Sequence, residues 1–415
     1  MFETRTHLFA FLLFSVIPVS IVAGPAVSLI IILLINLLFI FSIIKNKEIN
    51  LCYSQTVKLL FFIYIYLIFN SLISLDLYMG ASRNFGFLRF IIFFIAMNYF
   101  FYKYKNFNNF LYAWIVILIL FVVDVYIEAI LGKNILGYSS KLSERVVSFF
   151  KDEQIAGSFI NGFIFLLVGF LHNFTKSKSK NYKIAVILFS VFFLIAIILT
   201  GERSNSIKAM LGFLVFYFFY DEISPKKKLF SIIGLIGILF IMYNSSNFLK
   251  LRYEGQLFNL ISSKEKIINF YNKNIYFDIQ RTSIIVFKSY PLFGVGNKNF
   301  RVETCDEQKN VKYNYICQTH PHQIYFEFLA EHGIIGTIFL LGILFFLVFR
   351  ILRTIIFSKN YLQLGCFIYI LLVFTPILPS GAFFSQFNAN LFWINFSILY
   401  ALSKNTNIFF NKQKI

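Results

Sequence analysis

The chain has 415 residues, 58% of them hydrophobic and only 14% charged, with 38 Lys and Arg against 19 Asp and Glu for a formal charge of +19. Soluble domains are roughly half apolar and a quarter charged, so this composition excludes a soluble globular protein and predicts an all-α polytopic membrane protein. The basic residues come in short groups between apolar runs, without a basic face or a reading motif, which excludes nucleic acid as a partner and leaves membrane lipid as the surroundings.

A helix crossing about 30 Å of hydrocarbon needs roughly 20 apolar residues. Runs of that kind lie near 8–24, 26–44, 59–75, 85–101, 109–131, 154–171, 184–200, 207–220, 229–244, 333–349, 361–378 and 387–403. The sequence thus predicts about twelve transmembrane helices. A cleaved signal would be followed by a polar mature start, whereas the first run leads through Gly24-Pro25 straight into the second, so it reads as an uncleaved span. Basic groups at Lys45/Lys47/Lys58, Lys103/Lys105, Lys176/Lys178/Lys180/Lys183, Lys226/Lys227/Lys228, Arg350/Arg353/Lys359 and Lys404/Lys412/Lys414 fall on alternate loops. They share one side if both termini are cytoplasmic. Residues 245–331, between the ninth and tenth spans, then form one large external loop subdomain inserted in a single membrane domain, 1–415. Long polar loops in compact proteins usually carry function.

Asp124 and Glu128 lie one turn apart in the fifth span, and intramembrane acids are functional candidates by default. Arg83, Arg89 and Arg145 are lesser candidates at the same interface. Thr200-Gly201-Glu202-Arg203-Ser204 stands at the external end of the seventh span. Arg203 either snorkels there or presents a planar fork to a phosphate. Gly201 permits a sharp turn, and Ser204 is placed to cap the next helix so that its dipole also faces an anion. In the loop, 279–290 has helical apolar spacing and is ended by Pro291. A glycine-punctuated turn, Leu292-Phe-Gly294-Val-Gly296-Asn-Lys-Asn-Phe300, follows without the preceding strand that a dinucleotide site requires.

Cys305 and Cys317 both fall in the external loop, where an oxidising compartment would favour a disulfide between them. The alternative is two free thiols. Cys52 is placed on the cytoplasmic side and Cys366 within a span. Zinc is disfavoured, because Cys305, Cys317, His320 and His322 lack paired Cys-x-x-Cys spacing. The loop closes on His320-Pro-His322-Gln-Ile-Tyr325-Phe-Glu327-Phe-Leu-Ala-Glu331-His332-Gly333. Histidines and glutamates at a membrane boundary, on the face that carries Arg203, suit the handling of a lipid-linked anion. From its place in an extended X-Pro segment, His320 is expected to point away from His322.

Taken together, Thr-Gly-x-Arg at 200–203, Arg281 followed by Pro-Leu-Phe-Gly-Val-Gly at 291–296, and His-Pro-His-x-x-Tyr-x-x-x-x-Ala-Glu-x-Gly-x-x-Gly at 320–336 resemble the O-antigen ligase and polymerase superfamily of bacterial envelope glycosyltransferases. Arg145 to Ser158 is a looser match, and the first four spans match by hydropathy only. Gln323 departs from the Asn common at that position. The resemblance implies a metal-independent transferase with no cofactor, seated in the inner membrane with its site facing the periplasm. The donor would be a glycan on undecaprenyl diphosphate. The acceptor would be a lipid A–core sugar for a ligase, the favoured reading, or a lipid-linked repeat for a polymerase. On this resemblance His322, Arg203 and Arg281 are the expected catalytic residues. Arg145, Gly201, Ser204, Gly294, Gly296, His320, Tyr325 and Glu331 are the expected substrate-binding residues. Two arginines can neutralise a diphosphate leaving group, and a histidine can position or deprotonate an acceptor hydroxyl. A lipid-linked oligosaccharide transporter is the competing class. It would show repeated halves and charges near mid-membrane.

Overall fold

A computed structural model describes residues 2–46, 54–140, 145–222 and 274–410, with a few isolated positions between the last two blocks. The described residues form helices and loops and contain no strand. Among the described residues, seven helical stretches are long and apolar enough to cross a membrane: Pro25–Asn46, Gln55–Leu72, Leu77–Lys103, Phe107–Leu131, Ala156–Thr175, Lys180–Leu199 and Ile324–Ser358. Most of the expected ninth span, 229–244, lies outside the described residues, as do Cys52 and most of 245–273.

The remaining expected runs differ in detail. The first is split into α1 (Phe2–Ser15) and α2 (Ile17–Val22), because Pro18 at the start of α2 has no N–H to continue the ladder. Helices Tyr361–Val373 and Gln386–Ala401 hold 13 and 16 residues, shorter than the runs that suggested them, and Arg203–Phe218, with 16, starts four residues ahead of its run. Ala156–Thr175 is the central helix, with 78% of its apolar window buried against 39% for Lys180–Leu199. It meets Tyr361–Val373 backbone to backbone. A Cβ on Gly169 would collide with the carbonyl of Tyr361, and one on Gly365 with the carbonyl of Phe165. Leu37, Leu120 and Leu188 project from the outer helices, as side chains facing lipid should.

The basic loops gather at one end of the bundle. Lys176 Nζ donates to the Lys359 carbonyl at 2.6 Å, Lys183 pairs with Glu222 at 2.6 Å and Lys359 with Asp221 at 3.0 Å. The helix Arg203–Phe218 runs from this end to the opposite one, where the motifs singled out in the sequence collect.

One long helix there is broken. Ile324–Phe349 contains Gly333 at φ 62°, ψ −171°, a conformation essentially reserved for glycine. The break frees carbonyls before it and N–H groups after it, and the turn 291–296 takes them up. Val295 and Gly296 donate to Ala330 and Glu331 at 3.0 and 2.9 Å, and Ile334 and Ile335 donate to Pro291 and Leu292 at 2.8 and 3.1 Å. Irregular backbone at this depth is tolerated because these freed groups are paired within protein.

Candidate active site

Three pieces of chain converge on a cleft of about 580 Å³ at the end away from the basic loops. The first begins at Arg145. Glu128 accepts from the backbone N–H groups of Val147 and Ser148, and Asp124 accepts from the Ser148 hydroxyl at 2.6 Å and from the Ile135 N–H at 2.9 Å. The two intramembrane acids therefore have structural work: they pin the strap that carries Arg145. Arg145 lines the cleft and donates to Gln154 Oε1 at 2.9 Å.

The second piece is the turn at 200–205. Gly201 at φ 73° makes the reversal that was expected of it, but does not itself line the cleft. The helix starts at Arg203, with Glu202 at its N-cap, so Ser204 is its second residue and lines the cleft without being the cap. Glu202 lies across two helix starts: its carboxylate accepts from the Gly157 N–H and, at 2.6 Å, from Asn205 Nδ2. Burial raises its pKa to about 7, against the opposing pull of those bonds and of the Arg145 charge. Gly157 is needed for the approach, because a Cβ there would stand 2.8 Å from Thr200 Oγ1 and 3.1 Å from Glu202 Oε1. Arg203 lines the cleft beside Glu202.

The third piece is the histidine motif. His320 does not point away from His322. Both line the cleft, with ring centroids 4.0 Å apart. The reason is backbone conformation: His322 sits at φ 57° in the left-handed region, which curls the segment back after Pro321. Thr319 Oγ1 lies 2.9 Å from His320 Nδ1, and Tyr276 stands edge-on to His322 with centroids 5.7 Å apart. Burial, aided for His320 by the charges of His322, Arg83 and Arg301, lowers the pKa of both rings, that of His320 to about 3. Both imidazoles are therefore neutral at neutral pH. Gln323 caps the following helix through its side-chain oxygen, accepting from Tyr325 and Phe326 N–H at 2.8 and 3.1 Å. An amide oxygen is all that this cap needs, so Gln serves where Asn is usual.

Other expected site residues lie elsewhere. Arg281, on the helix Ile275–Ser289, pairs with Asp278 at 2.8 Å and is not part of the cleft lining. Tyr325 donates to the Phe374 carbonyl at 2.7 Å, tying its helix to the next loop. Glu331 is buried under the glycine turn, and Gly294 is needed because a Cβ there would meet the backbone of Glu331 and His332. Gly296 packs in the same way on Ser74. These three build the frame behind the histidines. Cys305 and Cys317 are joined by a disulfide, Cα–Cα 4.5 Å, which closes the loop just before the motif.

One further wall carries no motif in the sequence. Residues 377–388, including Pro379, Ser380 and Phe387, face the cleft. This loop is held by the Ser380 N–H on the His322 carbonyl at 2.8 Å and by the Phe383 N–H on the Glu327 carboxylate at 3.0 Å. Lys208, buried one turn into its helix, was counted as part of a span but also faces the cleft.

The described residues thus form an all-helical bundle with several membrane-spanning helices, in which two arginines, a lysine, two histidines and the buried Glu202 line one cleft. Residues 188–341 match the O-antigen ligase family. That match supports the resemblance of the chain's motifs to the O-antigen ligase and polymerase superfamily. A comparison with curated proteins found no match.

Proposed function

We propose that the protein is a glycosyltransferase of the bacterial inner membrane that moves a glycan from undecaprenyl diphosphate to an acceptor sugar at the periplasmic face. In this proposal Arg145 and Arg203 hold the diphosphate. The observation that carries it is their presence in one cleft with His320 and His322. The acceptor oxygen forms a bond to the anomeric carbon while the bond from that carbon to the diphosphate oxygen breaks. Undecaprenyl diphosphate leaves with the electron pair, and its charge is met by the guanidinium groups without a metal. The hydroxyl proton passes to an imidazole. His322, neutral at rest, accepts the hydrogen bond, and the negative donor alongside raises its basicity as the reaction proceeds.

In the same proposal the chain forms one membrane domain of twelve spans, both termini are cytoplasmic and 245–331 lies outside. Support comes from the basic loops meeting at the end opposite the cleft. The favoured acceptor is a lipid A–core sugar, making the protein an O-antigen ligase. A polymerase joining lipid-linked repeats uses the same chemistry. Deleting the gene and displaying the lipopolysaccharide separates the two. Loss of all polymer on lipid A–core is expected for the ligase, and a single repeat on the core would identify a polymerase. An unchanged ladder would sink both.

A further inference from the structure

Beside the cleft, two separate pieces of chain bring three more cations together. Arg83 is on the helix Leu77–Gly86, Lys298 on the glycine turn and Arg301 on the short helix Phe300–Thr304. All three are half-buried. Arg83 Nη1 reaches Asn297 Oδ1 at 3.5 Å, next to Lys298. The charges of Arg83 and Arg301 both bear on Lys298 and on His320. Among the described residues none of the three forms an ion pair. The acids facing Arg83 are Glu327 and Glu331, both buried on the helix behind. Glu303 is taken by Lys309 at 2.6 Å.

Like charges are held here by a built frame. Asn297 donates from its N–H to Asn70 Oδ1 at 2.8 Å and from Nδ2 to Asn84 Oδ1 at 2.6 Å. Asn299 Oδ1 accepts from the Asp76 N–H at 2.8 Å. Lys298, between the two asparagines, is fixed at φ 65°. Such a frame keeps three repelling cations in place before any ligand arrives, the arrangement that binds an anion with least reorganisation. His320 lines the cleft with Arg145 and Arg203 and also feels Arg83 and Arg301. The histidine pair therefore has cations from two separate groups around it.

We propose that Arg83, Lys298 and Arg301 form a second anion site, which binds a phosphate carried by the acceptor and so presents the acceptor hydroxyl to the histidines. This rests on the transferase reading. The phosphate has two sources: a phosphorylated sugar of lipid A–core, or the diphosphate of a second lipid-linked repeat.

Binding measured without turnover on the purified full-length protein tests the site directly. The probes are lipid A–core, the same core with its sugar phosphates removed, a lipid-linked repeat, and the lipid-linked donor glycan. Arg83→Gln/Arg301→Gln should weaken binding of the phosphorylated acceptor about tenfold or more, the loss expected for two charge-assisted contacts. Donor binding at Arg145 and Arg203 should stay within about twofold. Arg83→Lys/Arg301→Lys should keep most of the acceptor affinity, and its melting temperature controls for folding. Should the double Gln variant not fold, Arg301→Gln alone should still weaken acceptor binding about threefold or more. The acceptor whose affinity depends on these residues identifies the source of the phosphate. Equal acceptor binding by wild type and the Gln variants would overturn the proposal, as would full affinity of wild type for the dephosphorylated core and no effect on the lipid-linked repeat. Intact, phosphate-dependent binding with no glycan transfer by wild type would overturn the transferase reading instead.

Discussion

Glu202→Gln removes a buried carboxyl that the fold holds between two helix starts. Burial lifts this group from an ordinary 4.5 to about 7. At about 1.4 kcal/mol per pH unit, that displacement corresponds to about 3 kcal/mol. Below pH 4.5 the carboxyl is protonated in both folded and unfolded chains, and its contribution is fully present. As pH rises from 4.5 towards 7, only the unfolded chain loses the proton, so stability falls, and above about 7 the loss is complete. The Gln side chain can still accept from Gly157 and cannot ionise, so its variant should lack this slope. The assay is thermal unfolding of both proteins in one detergent at pH 5, 6, 7 and 8, taken as a difference so that groups common to both cancel. The wild type should lose melting temperature relative to Glu202→Gln across that range, with most of the change below pH 7. Parallel curves, or a variant that loses ground as pH rises, would refute the assignment of a raised pKa to Glu202.

Arg203→Lys should lose about 10²-fold in glycan transfer because an ammonium cannot reproduce the planar fork, whereas Arg281→Lys, paired to Asp278 outside the cleft, should lose less than about threefold, the exposed pair being worth little; equal losses would show that Arg281 reaches the substrate. His322→Ala should lose about 10²-fold or more in rate with donor binding intact, and His320→Ala, in ring contact with it, should also be impaired; normal transfer by both would reduce the motif to a helix start. Gly333→Ala should destabilise by about 3 kcal/mol, through strain at φ 62° and overlap with the Leu292 carbonyl, which size-exclusion profiles and melting would report; a wild-type profile would mean that the break relaxes without cost. An impermeant thiol reagent applied to cells should label Ser289→Cys and not Ser177→Cys, and the opposite pattern would invert the proposed topology.

Helix positions were legible because apolar runs of span length have few alternatives in lipid, and the amphipathic segment 279–290 was legible from spacing. Arg203, Arg145 and the histidines, which line one cleft, stand out in the sequence because each combines a polar or charged side chain with a turn or a membrane boundary. Arg281 lies outside the cleft lining, and its pairing was legible: Asp278 stands three residues earlier, the spacing at which side chains meet on a helix. The direction of His320 was not legible, since it depends on a positive φ at His322, which a non-glycine residue rarely adopts. The wall at 377–388 was hidden for a different reason. It has no charge and no periodicity, and it enters the cleft only because Glu327 and the His322 carbonyl hold its backbone.

The family match and the cleft do not share boundaries. Residues 188–341 contribute Glu202, Arg203 and the two histidines, while Arg145 precedes the matched segment and the loop 377–388 follows it. A chimaera that exchanged only 188–341 with a member of the superfamily would carry across the turn at 200–205 and the histidine motif and leave Arg145 and the wall at 377–388 behind. Exchanges that preserve activity should therefore begin ahead of Asp124, so that the strap bearing Arg145 travels with its anchors, and should extend past Phe387.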